Sequence, residues 1–208
     1  MYKLYYNPGS ANMAPHAALE EIGTPYELVL IDTEKREHHS EAYRKIHPHS
    51  RVPALVDGDL VMYESAAIVL YLCDRHPEAG LAPAIDTPER ALYLQWIAHL
   101  TNTVQEALMH WHHPDFYAPD ESSRAAVKAE AERRLDRMWG YFDGVLAKSG
   151  PYLLGERFSA ADLFFTMLTR WTRNMAKPAT TYENVRRCAE LVRARPAYQR
   201  MMQAEGIS

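Results

Sequence analysis

Strand-like segments occur only in the first third of this chain, and that asymmetry restricts the fold more than any other feature of the sequence. Residues 2–6, Tyr-Lys-Leu-Tyr-Tyr, read as a strand because aromatic side chains suit a pleated, half-buried surface. Asn7-Pro8-Gly9-Ser10 is a turn signal. Pro15 belongs in a first helical turn, where its missing N–H costs nothing. Ala17, Ala18, Leu19 and Ile22 supply an apolar face, and Gly23 is placed to cap the end. Residues 26–31 form a second strand. Strand, helix, strand in this order predicts a βαβ unit with parallel strands. A polar stretch follows at 32–50, with a short helix expected at 42–46. Two apolar runs, 54–56 and 60–62, then flank Asp57-Gly58-Asp59, which is a hairpin signal. Residues 65–76 read as a helix with Ile68, Val69 and Leu72 facing inward, ended by Pro77.

Beyond Pro77 the period-2 pattern stops. Residues 83–88 read as a linker, and Thr87-Pro88-Glu89 as a helix start. Leu92, Trp96, Ile97, Leu100, Val104 and Leu108 recur at helical spacing. Val127, Ala131, Leu135, Met138, Phe142 and Val145 do so again within 120–147. Ser159-Ala160-Ala161-Asp162 is a capping box with Asp in place of Glu and opens a third long helix. Two shorter helices are expected at 182–194 and 196–205. The expected fold is an α/β domain at residues 1–80 followed by an all-helical domain at 88–208. With 208 residues, 47% of them hydrophobic, each domain can have its own core.

The formal net charge of -4 speaks against nucleic acid as a partner. No apolar run approaches the ~20 residues of a membrane helix, and the first residues lack the pattern of a secretory signal. The two cysteines, Cys73 and Cys188, lie far apart and form no CxxC pair. A reduced, cytoplasmic compartment is the expectation.

Four local features of the first domain could carry chemistry. The turn after the first strand leads into a helix N-terminus, where free N–H groups and the helix dipole favour an anion or a thiolate. An ordinary βα loop would look the same. Arg51-Val52-Pro53-Ala54 could hold a cis proline that turns the Val52 backbone outward as an edge for a peptide. A trans proline at a strand start is the plainer reading. Glu64-Ser65 suits the two charged ends of an amino-acid backbone, Glu64 for the ammonium and the Ser65 N–H for the carboxylate. Simple capping would use the same pair. Lys35 and Arg36, with His38 and His39, could meet a carboxylate or be a solvated loop.

Taken together and in order, these segments resemble the glutathione transferase superfamily, with the bacterial beta class as the nearest pattern. The residues that carry the resemblance are KLYY-PGS, APH-ALEEIG, HPHSRVPAL, ESAAI and GERFSAADL, and it spans essentially the whole chain. It implies a thioredoxin-like first domain and a cis Pro53. It implies that Val52, Pro53, Glu64 and Ser65 bind glutathione, with Tyr6, Ala11 and Arg51 nearby. It also implies that Lys35 or Arg36 meets the glycine carboxylate. Glutathione would be the co-substrate, with no metal. A homodimer is expected, with an electrophile pocket between the domains. Met109, Trp111, His112, Phe116, Tyr117 and Trp171 are its candidates, Trp111 and Trp171 being equally readable as core. The GERFSAADL segment would be a buried folding motif.

The sequence departs from the beta-class pattern at two places. Ala11 stands where a loop cysteine is usual, and Gln105 where a histidine is usual. Chemistry based on a protein thiol is therefore not expected. The glutathione thiol must still be made a thiolate to attack. Ser10 and Asn12 are the side-chain donors in the loop, and a backbone N–H of Ala11 or Asn12 could serve alone. His110, His112 and His113 do not suit a metal, because i and i+2 point apart on a helix and no cysteine-and-carboxylate set completes a zinc site. The leading expectation is a detoxifying transferase that directs glutathione at small electrophiles or peroxides. A glutathione-dependent disulfide reductase and a non-catalytic ligand-binding or interaction protein of the same fold are the alternatives.

Overall fold

The computed structural model describes residues 1–208 and resolves them into two compact units. The first joins Met1–Ala82 to Ala194–Ser208; the second is Pro83–Arg193. The last helix therefore belongs with the N-terminal unit, whereas its sequence position grouped it with the helical domain.

The first unit is built on four strands: β1 (Tyr2–Tyr6), β2 (Tyr26–Leu30), β3 (Ala54–Asp57) and β4 (Leu60–Tyr63), in the order β2-β1-β3-β4. β1 and β2 are parallel, Tyr2 opposite Tyr26, as the βαβ pattern requires. β3 runs antiparallel to β1 and to β4. Gly58, at φ 60°, makes the hairpin turn between β3 and β4. Helix α1 (Met13–Ile22) crosses between β1 and β2 and ends at Gly23, whose left-handed backbone sends its N–H to the Leu19 carbonyl. A single turn, α2 (Glu41–Arg44), and helix α3 (Ser65–Arg75) complete the expected elements. Leu4, Met13, Leu19, Leu55, Ile68 and Leu72 are wholly buried and form the core.

The second unit is helical throughout. It holds α4 (Pro88–His99), α5 (Glu106–His112), α6 (Glu121–Ser149), α7 (Ala160–Trp171) and α8 (Glu183–Arg193). Leu100–Gln105 forms a wider π turn that joins α4 to α5, a distortion often found near functional positions. Its inward stripe is Tyr93, Trp96, Ile97, Leu100, Val104, Ala107, Leu108 and Trp111. Leu92, expected on that stripe, is 50% exposed because Tyr93 takes the inward position. On α6, Trp139 and Leu146 occupy the core beside Leu135 and Phe142, and Met138 and Val145 sit at its margin. α7 is buried along nearly its whole length. Asp162 accepts from the backbone N–H groups of Leu153 and Ser159, each at 2.8 Å, and from Ser159 Oγ at 3.0 Å. The expected box is thus closed, and it also ties down the segment that precedes α7. No helix is long and apolar enough to cross a membrane. The final helix, α9 (Pro196–Glu205), packs against α1. Arg195 makes a bidentate pair with Glu21, at 2.5 and 2.8 Å, and Arg200 pairs with Glu20 at 2.6 Å.

Candidate functional site

The loop at residues 7–12 delivers the N-terminus of α1, and a buried carboxylate from the far end of the chain holds it. Glu205 is 5% exposed. Its carboxylate accepts the Gly9 N–H at 2.8 Å and the Asn12 Nδ2 amide at 2.7 Å, and pairs with His16 Nδ1 at 2.8 Å. His16 Nε2 lies 2.9 Å from the Tyr26 hydroxyl, which donates to Glu20. Each buried polar group of this Glu205–His16–Asn12 network has a partner, as burial demands. No local pattern in the sequence announces the arrangement, because Glu205 and His16 are 189 positions apart. The one signal was a histidine on the apolar face of a predicted helix.

This network separates the two loop residues expected to activate a thiol. Asn12 is fully buried. Its Oδ1 accepts from the Asn7 N–H at 3.0 Å and from the Ser10 hydroxyl, while Nδ2 is spent on Glu205. It is a structural member of the loop. Ser10 is half-buried, and its one hydroxyl proton is donated to Asn12, so it becomes a donor to a ligand sulfur only by turning away from that bond. The Ser10 and Met13 amides close turns on Asn7 and Ser10, whereas those of Ala11 and Asn12 make no hydrogen bond within the chain. Free amides beside a helix N-terminus are the donors that stabilise an anion. Of the two tyrosines that end β1, Tyr6 turns toward His16, with ring centroids 6.4 Å apart, and Tyr5 toward Tyr43 at 5.8 Å.

The second wall of the site comes from residues 32–53. Lys35 is engaged by Asp32, its Nζ 2.8 Å from the carboxylate, which raises the lysine pKa and lowers the aspartate's. Arg36 stands at φ 60° with its side chain exposed and makes no ion pair. It is the free cation of this loop. Tyr43, which sequence reasoning missed as a site element, is buried and donates its hydroxyl to the Arg51 carbonyl at 2.7 Å. Burial pushes its phenol pKa up, so it remains a donor. It thereby fixes the backbone immediately ahead of Val52. The Val52–Pro53 peptide is cis, Pro53 is buried and Arg51 is exposed.

The third wall is the β4–α3 junction. Glu64 takes φ 72° and caps α3 without using its side chain, so its exposed carboxylate is available to a ligand. Left-handed backbone at a non-glycine residue is costly and collects at ligand sites. Ser65, 6% exposed, opens α3.

The aromatic candidates of the helical unit form their own cluster. Trp111 is buried, with its Nε1 donating to Glu132 at 2.8 Å and Lys128 Nζ 4.3 Å from its ring centroid. His112 Nε2 lies 3.1 Å from the Trp171 carbonyl, and the two rings meet edge to face. Tyr117 stacks on His110 at 3.6 Å and Phe116 on His113 at 4.9 Å. Phe116 and Tyr117 are exposed; Met109 and Trp171 are half-buried. Each of the three histidines therefore has its own aromatic neighbour.

Residues 1–74 match the family described as glutathione S-transferase, N-terminal domain, and residues 106–203 that described as glutathione S-transferase, C-terminal domain. The chain is a member of the glutathione transferase family. It is 28% identical over 207 residues to glutathione S-transferase GstA of Escherichia coli O157:H7, covering 99% of each chain. It is 30% identical over 205 residues to the disulfide-bond oxidoreductase YfcG of Escherichia coli K12, covering 95% of this chain and 92% of that one. A glutathione transferase homologue from Sulfitobacter, solved with bound glutathione, superposes with a TM-score of 0.91 at 27% identity, over 100% of this chain and 99% of the other. As a transferase with a thioredoxin-like first unit, the protein is an enzyme whose activity depends on glutathione.

Proposed function

We propose that this transferase raises the nucleophilicity of the glutathione thiol and directs it at a small electrophile or a peroxide. The observation that carries the reading is the Glu64 junction, where an unused carboxylate at φ 72° adjoins the N-terminus of α3. Those are the opposite charges needed for the ammonium and carboxylate of the γ-glutamyl end. The Val52 backbone, ahead of cis Pro53, takes the cysteinyl part as an added strand, and Arg36 takes the glycine carboxylate. The sulfur then falls to the N-terminus of α1, where the Ala11 and Asn12 amides favour the thiolate and the Ser10 hydroxyl adds to them once it turns from Asn12 to the sulfur. The aromatic cluster of the helical unit, with Trp111, Phe116, Tyr117 and Trp171, supplies the apolar surface for the electrophile.

Disulfide reduction is the second reading, favoured by the relation to a disulfide-bond oxidoreductase. Cys73 and Cys188 are both buried, and burial raises the pKa of Cys188. In that reading the exchanging thiols all belong to glutathione. Calorimetric titration with glutathione, run beside turnover assays with an aryl halide, a peroxide and a small disulfide, tests both readings. Turnover of the halide or peroxide supports the first, and turnover of the disulfide alone supports the second. No binding at millimolar glutathione overturns the site.

A further inference from the structure

We propose that His47 is a positioning residue of the glutathione site and that its neutral imidazole makes binding sensitive to pH. The inference rests on the glutathione reading above. His47 is 3% exposed and lies in the loop between α2 and β3. It joins two of the three walls. On one side, its Nδ1 accepts the His49 N–H at 3.3 Å, and its carbonyl accepts the Ser50 N–H at 2.9 Å. These bonds close the turn that ends in Ser50, at φ 53°, and leads through Arg51 to Val52. On the other side, its ring packs on Tyr63 with centroids 4.8 Å apart, directly ahead of Glu64. Tyr43 stacks on it more distantly at 6.4 Å.

Nδ1 can accept a backbone N–H only while it carries no proton. Burial disfavours the imidazolium most, as do the charges of His49 and Arg51, while Glu64 and a backbone hydrogen bond favour it. Protonation would set two donors against each other at the His49 amide and loosen the turn. The new cation would also be drawn to Glu64, where it would compete with the ammonium of glutathione. Both effects weaken binding as pH falls. The free ligand does not titrate between pH 5 and 7, since its carboxyls lie below ~4 and its amine above ~7.7; the thiol, whose pKa the site is proposed to lower, is removed from the test by methylating the sulfur.

The test is the dissociation constant of S-methylglutathione, which has no thiol to titrate, measured by calorimetry from pH 5 to 7. The wild type is expected to bind at least about threefold more weakly at pH 5, with net proton uptake on release of the ligand. His47→Asn should keep the affinity at pH 7 within about twofold and flatten the profile, because an asparagine carbonyl accepts the N–H two residues on without titrating. His47→Ala, lacking any acceptor, should bind more weakly at every pH. His49→Asn, altering the other histidine beside Tyr63, should keep the wild-type profile. An unchanged pH dependence in His47→Asn, or a flattened one in His49→Asn, overturns the assignment while leaving the glutathione site standing. A wild type that binds no glutathione at pH 7 overturns both.

Discussion

Ser10 and Asn12 stand two positions apart in one loop, yet burial gives them opposite tasks. Asn12 spends both ends of its amide inside the protein. Asn12→Ala should therefore lower stability by about 2 kcal/mol, since it leaves Glu205 and the Asn7 N–H short of partners. Ser10→Ala removes a half-buried hydroxyl and its bond to Asn12 and should lower stability by about 1 kcal/mol, less than Asn12→Ala. If that hydroxyl supports the thiolate, the bound thiol pKa rises by about one unit and turnover below that pKa falls about tenfold. Ultraviolet titration of bound glutathione together with kcat measures both effects. An unchanged thiol pKa in Ser10→Ala would assign activation to the Ala11 and Asn12 amides. Glu205 is the harsher position. Glu205→Ala strands His16 and Asn12 without their acceptor and should cost about 3 kcal/mol in urea denaturation. Glutathione turnover should fall with it, because the Gly9 N–H loses its anchor.

At the scale of the element, α7 shows how a cap can be sensitive to pH. Asp162 is fully buried, and desolvation outweighs its three hydrogen bonds, pushing its pKa up to about 6. The unfolded value is near 3.9. Between these limits the folded state binds more protons than the unfolded state. The contribution of Asp162 to stability is therefore greatest below the unfolded value and declines as pH rises through about 6. Asp162→Asn removes that titration. The stability difference between the two proteins should change across pH 4–6 and level off above it, as measured by urea denaturation at each pH. The box itself was legible from Ser159 and Asp162 alone, because capping is a local affair of three residues. So were the hairpin at Gly58 and the parallel β1–β2 pair. The phase of α4 was not, since Leu92 and Tyr93 are equally good inward residues until tertiary packing chooses between them. Lys35 and Arg36 were inseparable for a similar reason, and it is the Asp32 pair that distinguishes them. The Glu205 network was beyond reach, because its partners meet only after the chain has folded.

At the scale of the molecule, β4 is an edge strand with Leu60, Val61 and Tyr63 exposed. Edges of this kind are usually covered, and we propose that a second copy of the chain does so, as the family resemblance implies. Sedimentation should give twice the 23.8 kDa chain mass, and Val61→Lys should shift the equilibrium toward the monomer. The first compact unit also takes its residues from both ends of the sequence, with Pro83–Arg193 inserted between them. On the ribosome, its sheet and α1 emerge first but wait for α9, so the helical unit can finish folding while the glutathione site is still incomplete. A transcript cut short after residue 193 would yield a sound helical body and an unanchored Gly9 loop. The residues made after the helical unit thus complete the first unit, and catalytic competence is the readout.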